Sequence, residues 1–160
     1  MMDITVDDRA VRAKFDKMPK EVHDRLKLTV GVLAEKLRSY IVSNKLLGQV
    51  LQRRSGRLGR SIKARTEDTA EGVTGFVFSS GDVPYARIQE YGGKTAAHVI
   101  EAKNGKALAF MMGGRQVFFR KVNHPGSNIP ERSYMRSSLA DMRDEIIAAM
   151  KKAVGEGTKL

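Results

Sequence analysis

The stretch HVIEAKNGKALAFMMGGRQVFFRKVN, residues His98 to Asn123, decides how the chain folds. Apolar and polar residues alternate along it, and two dipeptides, Asn104-Gly105 and Gly113-Gly114, break the alternation. Such dipeptides supply the positive φ angles that two-residue hairpin turns need. The spacing predicts a three-stranded antiparallel meander over His98–Ala102, Lys106–Met112 and Gln116–Asn123. Upstream, Ile62, Ala64 and Thr66 alternate with Lys63 and Arg65, TAEG (Thr69 to Gly72) reads as a turn, and VTGFVFS (Val73 to Ser79) reads as the returning strand. Together these runs predict a curved antiparallel sheet of about five strands. Phe76, Phe78, Phe110, Phe118 and Phe119 fall within them, and core packing is the use expected for most of these rings.

Two long helices flank the strands. From Pro19 to about Ser43, the residues Val22, Leu26, Val30, Leu33, Leu37 and Tyr40 recur at three- and four-residue steps and share one face. After the HPGSNIP loop (His124 to Pro130), Met135, Leu139, Met142, Ile146, Ala149 and Ala153 form a second such stripe, running to about Val154 with Gly155 as the stop. PYARIQEY (Pro84 to Tyr91) reads as one or two helical turns halted by Gly92-Gly93. The fold class is α+β, two long helices packed on the sheet.

Between the first helix and the first strand lies NKLLGQVLQRRSGRLGRSIKART, Asn44 to Thr66. It carries seven basic residues (Lys45, Arg53, Arg54, Arg57, Arg60, Lys63, Arg65) and no acidic one, and Gly48, Gly56 and Gly59 break it. Leu46, Leu47, Val50 and Leu51 give it an apolar patch as well. A segment of this composition is expected to stay loose until a partner offers anions for the arginines and a groove for the leucines. Leu47, Leu51, Arg53, Arg54, Arg57 and Arg60 are therefore the candidate partner contacts.

The formal net charge is +11 and is unevenly placed. Residues 103–136 hold seven basic residues against one acidic, whereas 67–102 hold two basic against six acidic. Basic clustering favours an anionic partner, a phosphate backbone or an acidic protein face. The alternative reading is a solvated basic surface that aids solubility. The chain has no cysteine, which removes disulfides and thiolate metal sites. Asp3, Asp7, Asp8 and Asp16 and the lack of an apolar core argue against a signal peptide, and no apolar run is long enough to span a membrane.

Motifs for catalysis are weak. His23, His98 and His124 lack metal-ligand spacing, and Asn123-His124 resembles a nuclease fragment without the acidic ligands that would accompany it. Gly56-Arg57-Leu58-Gly59 matches a GxxG nucleic-acid clamp only superficially, because a strand follows it. There is no phosphate-binding loop and no G-x-S-x-G elbow. Glu90 and Glu101 sit among ordinary surface-type residues. No enzyme activity, catalytic residue, metal or cofactor is expected.

Five pieces occur in a fixed order: SGRLGRSI from Ser55, Pro84-Tyr85-Ala86 through Glu90-Tyr91-Gly92, Gly105-Lys106-Ala107-Leu108, KVNHPG from Lys121 to Gly126, and IPERSYMR from Ile129 to Arg136. This order resembles the head–tail joining, or tail-completion, protein family of long-tailed bacteriophages and prophages. It covers roughly residues 20–154, with Ser55 where threonine is usual and Ser133 where a second proline is common. The resemblance implies a single head–tail joining-like domain over 1–155 followed by a frayed tail at 156–160. It also implies structural roles for Gly56, Tyr85, Glu90, Gly92, Pro125, Gly126, Arg132 and Tyr134. The implied protein is a non-catalytic virion component of the head–tail interface, made in the bacterial cytoplasm. It would be a ring when assembled and a monomer or weak oligomer alone. Its partners would be other phage structural proteins (an adaptor or connector, a tail tube or terminator), with DNA passing through the lumen and no membrane. A non-specific basic DNA-binding module is the alternative, and a small nuclease a third possibility.

Overall fold

A computed structural model describes residues 20–103 and 106–157. Helix α1 (Lys20–Asn44) buries Val22, Leu26, Val30, Leu33 and Leu37, as the periodicity predicts, with Ala34 and Ile41 added and Tyr40 only half-buried; Pro19 lies outside the described residues. Strands β1 (Ile62–Thr69) and β2 (Gly72–Ser79) form an antiparallel hairpin in which Ala64 faces Val77 and Thr66 faces Gly75. That face lies on α1, and the fit is close: a Cβ added to Gly75 would come within 3.0 Å of Val30. Arg65 covers the other face, its guanidinium 5.1 Å from the Phe76 ring and 5.6 Å from that of Phe78.

Helix α2 (Arg57–Ser61) is a single turn that the sequence reading leaves as connector, and α3 (Ala86–Tyr91) follows the β1–β2 hairpin. The second long helix is in fact two, α4 (Met135–Asp141) and α5 (Arg143–Gly157), broken at Met142. The Met142 N–H still bonds the Ser138 carbonyl and Ile146 bonds back to Met142, so the break is a bend in a nearly continuous rod. Leu37, Ile41, Leu46, Leu51, Ile62, Val77, Tyr134, Met135 and Met142 make the main core; Val22, Leu26 and Ala153 close the far end. The helix passes Gly155, and Glu156, expected in a frayed tail, bonds Arg25 at 3.5 Å; residues 158–160 lie outside the described part.

The curved five-stranded sheet and the meander do not form. Residues 93–129 instead make one long antiparallel ribbon of two-stranded pairings. β3 (Gly93–Lys94) pairs with β8 (Asn128–Ile129), β4 (His98–Glu101) with β7 (Lys121–His124), and β5 (Leu108–Met112) with β6 (Arg115–Phe119). Gly113-Gly114 turns the β5–β6 hairpin, with φ of 59° and 78°. The Asn104-Gly105 turn expected from the sequence lies outside the described residues; beside it, the Lys106 N–H bonds the Lys103 carbonyl. Between the Glu101–Lys121 and Leu108–Phe119 pairs, seven residues advance on one strand against two on the other. No described residue of 93–129 is buried, so the ribbon stands off the body as an arm. Phe110, Phe118 and Phe119 are consequently exposed, contrary to the core role expected for them. Among the described residues, no helix is long and apolar enough to cross a membrane.

Candidate assembly interface

Glu90 is the structural pivot. Ala86 and Glu90, four apart on α3, both face inward, and Glu90 is fully buried. Helix α4 has no side-chain cap of its own, so its first amides need an acceptor from elsewhere. Glu90 supplies it across 45 residues of chain. Oε2 accepts from the amides of Tyr134 (2.7 Å) and Met135 (2.9 Å); Oε1 accepts from the Arg136 amide (3.0 Å), the Ser133 hydroxyl (2.9 Å) and Arg136 Nε (3.2 Å). Burial pushes this carboxyl's pKa up, but the amides of Met135, Arg136 and Tyr134 and the Ser133 hydroxyl outweigh it and hold the pKa below the usual carboxylate range. The charge also meets the positive end of the α4 dipole.

Neighbouring candidates join the same clasp. Tyr134 is buried and its hydroxyl donates to the Ala86 carbonyl at 3.3 Å; burial, with Glu90 nearby, raises that phenol's pKa well above its ordinary range. Arg132 contributes its backbone, its N–H bonding the Gln89 carbonyl at 2.9 Å. Gly92, at φ 68°, lets the chain turn where a Cβ would lie 2.7 Å from the Glu131 nitrogen. Tyr85 is the exposed member. Arg136 escapes the sequence reading, and Ser133 enters it only as a departure from the family pattern, although both lie inside the IPERSYMR piece. Arg136 also bonds Glu131 at 2.6 Å and lies over the Tyr91 ring at 4.6 Å.

The HPG loop fastens the arm's root. Gly126 has φ 88°, and a Cβ there would collide with the Thr95 carbonyl oxygen. Ser127 N–H donates to Thr95 Oγ1 at 2.8 Å, and Thr95 N–H to the Ser127 carbonyl at 3.0 Å. Pro125 is exposed beside this crossing. His124 accepts the Gly126 N–H at Nδ1 (3.0 Å) and stacks on its register partner His98, ring centroids 5.0 Å apart. Among the described residues, no group of three or more His, Asp or Glu side chains is placed to hold a metal ion.

The connector's leucines divide. Leu51 is 9% exposed and sits in the core with Leu46, which corrects its assignment as a partner contact, while Leu47 is 50% exposed. The arginines stay outside. Gly56, at φ 69°, lies beneath two of them: a Cβ there would be 3.0 Å from Arg53 Nε and 3.2 Å from an Arg60 terminal nitrogen. Arg60 donates to the Ser55 carbonyl at 3.2 Å and Arg57 to the Asp82 carbonyl. Among the described residues, no carboxylate pairs with Arg53, Arg54, Arg57 or Arg60, whereas Lys27, Lys36, Arg38 and Lys45 each have one.

One protein family matches the chain, that described as "Bacteriophage HK97-gp10, putative tail-component", over residues 9–92. The matched stretch takes in all of α1, the arginine connector, the β1–β2 hairpin and the Glu90–Gly92 turn. No curated protein and no solved structure matches the chain.

Proposed function

The chain belongs to the HK97-gp10-like family of bacteriophage tail components, and from that premise we propose that it completes the head–tail junction. A tail component works in the virion beside other phage structural proteins. The finer reading is a subunit that assembles into a ring between a portal-side adaptor and the tail tube, with DNA passing through the lumen. The observation that carries it is the cluster of four exposed connector arginines, Arg53, Arg54, Arg57 and Arg60, which have no carboxylate partner among the described residues. Four arginines crowded on an exposed segment that holds no acidic residue are suited to a partner's acidic face. Catalysis has no part in this reading: both Glu90 oxygens are occupied by donors, and His124 spends Nδ1 on the Gly126 backbone.

Particles made without this protein, viewed by electron microscopy, should accumulate as separate heads and tails. Intact tailed particles would overturn the assignment. The same arginines favour one second reading, non-specific DNA binding, and salt separates the two. A DNA binder that neutralises several phosphates loses orders of magnitude in affinity over a few-fold rise in salt, whereas a joining protein binds free DNA poorly throughout.

A further inference from the structure

We propose that the 93–129 arm of one copy docks on the outward face of α1 in the next copy. This rests on the ring-forming reading above and names the two surfaces that meet. The arm is incomplete as it stands: a lone two-stranded ribbon is marginal in water, and this one exposes apolar side chains on both faces. On one face Phe110 and Phe119 cover each other, rings 5.6 Å apart. On the other, Phe118 pairs with Ala109 and Met111 with Gln116, and Phe118 and Met111 remain 63% and 66% exposed. The flanking charge is basic: residues 93–129 hold six Lys or Arg against Glu101 alone.

The complement lies on α1. Opposite its buried stripe, Leu28 and Val32 are 72% and 66% exposed, one helical turn apart. Glu21, Asp24 and Glu35 share this exposed face, Glu35 also holding Arg38. The neighbouring cations Arg25 and Lys36 are drawn aside to Glu156 and Glu145 of α5. An apolar pair with acidic flanks thus matches an apolar arm with basic flanks. The connector, itself basic, would repel the arm. Two different surfaces of one chain meeting in this way is the heterologous contact that closes rings. The shorter arm strand, 115–129, reaches up to roughly 45 Å when extended, long enough to cross to a neighbour.

The chain has no cysteine, so Phe118→Cys and Leu28→Cys can be made in separate molecules, mixed at high concentration and oxidised. The expected product is the 118-to-28 disulfide, several-fold above either homodimer. Arg120→Glu should cut that yield several-fold, and Asp24→Lys in the other partner should restore it. All four positions are exposed, so circular dichroism melting of each variant should match the parent. Folded variants that give mainly 118-to-118 dimers, no disulfide, or no charge rescue would overturn the docking. The junction role is read separately, by particle morphology. Separated heads and tails without the disulfide would sink this contact alone, and the disulfide with intact deletion particles would sink the junction reading alone.

Discussion

Glu90 shows how one side chain ties two distant segments together. Replacing it with glutamine keeps the shape but removes the charge that three amides and a guanidinium address. Charge-assisted hydrogen bonds contribute about 1.5–3 kcal/mol each to stability in mutational series, and one or two of these are lost outright. Glu90→Gln should therefore lower unfolding free energy by about 2 kcal/mol at neutral pH, read from the urea midpoint. The pH dependence has a definite sign. Because the folded pKa is depressed, the charge stabilises the fold above the unfolded value of about 4.3 and the benefit disappears as pH falls through the folded pKa. The gap between parent and Glu90→Gln should narrow below pH 4; a gap constant from pH 7 to pH 3 would refute the charge argument. Gly126 makes a second case. His124→Ala forfeits one acceptor, worth about 1 kcal/mol, whereas Gly126→Val drives a β-branched side chain into the Thr95 carbonyl at a φ that valine rarely adopts. The valine variant should be the poorer folder by thermal melting, and equal melting points would show the strand crossing to be slack.

At the scale of elements, the connector is anchored at its leucines and open at its arginines. Leu51→Ala should cost about 2–4 kcal/mol, as core truncations do. Reversing Arg53, Arg54 and Arg57 to glutamate should leave stability within about 0.5 kcal/mol yet stop particle completion. A large fall in melting temperature would instead give these arginines a structural duty. Trypsin should cut the free protein first between Arg53 and Arg60, and early cleavage elsewhere would count against an accessible connector. The helices were legible because their stripes are long and periodic: Val22 through Leu37 cannot be hidden any other way. Strand partners were not. Alternation tells which residues share a face but not which strand lies alongside, so Asn104-Gly105 looked like a hairpin and the long-range pairing of His98 with His124 stayed invisible. Ring count misled for the same reason, since Phe118 in a sheet and Phe118 on a bare ribbon read alike. The Glu90 clasp was half legible: the YARIQEYG and IPERSYMR pieces stood out, but nothing local says that one caps the other.

For the molecule as a whole, assembly must balance a specific contact against general repulsion. Every copy carries +11, and like-charged copies resist approach until salt or an acidic partner screens them. The arm and the α1 stripe each offer only a few apolar side chains, well below what a permanent interface buries. Free protein at micromolar concentration should thus scatter light as a monomer or weak oligomer. Supplying the acidic face of an adaptor ring would neutralise the connector and raise local concentration, letting weak arm contacts act together. Mass should then step up only when the partner ring is present. A stable ring from the purified chain alone at micromolar concentration would mean that the copies' own contacts outweigh their charge, and that the partner is not needed to start assembly.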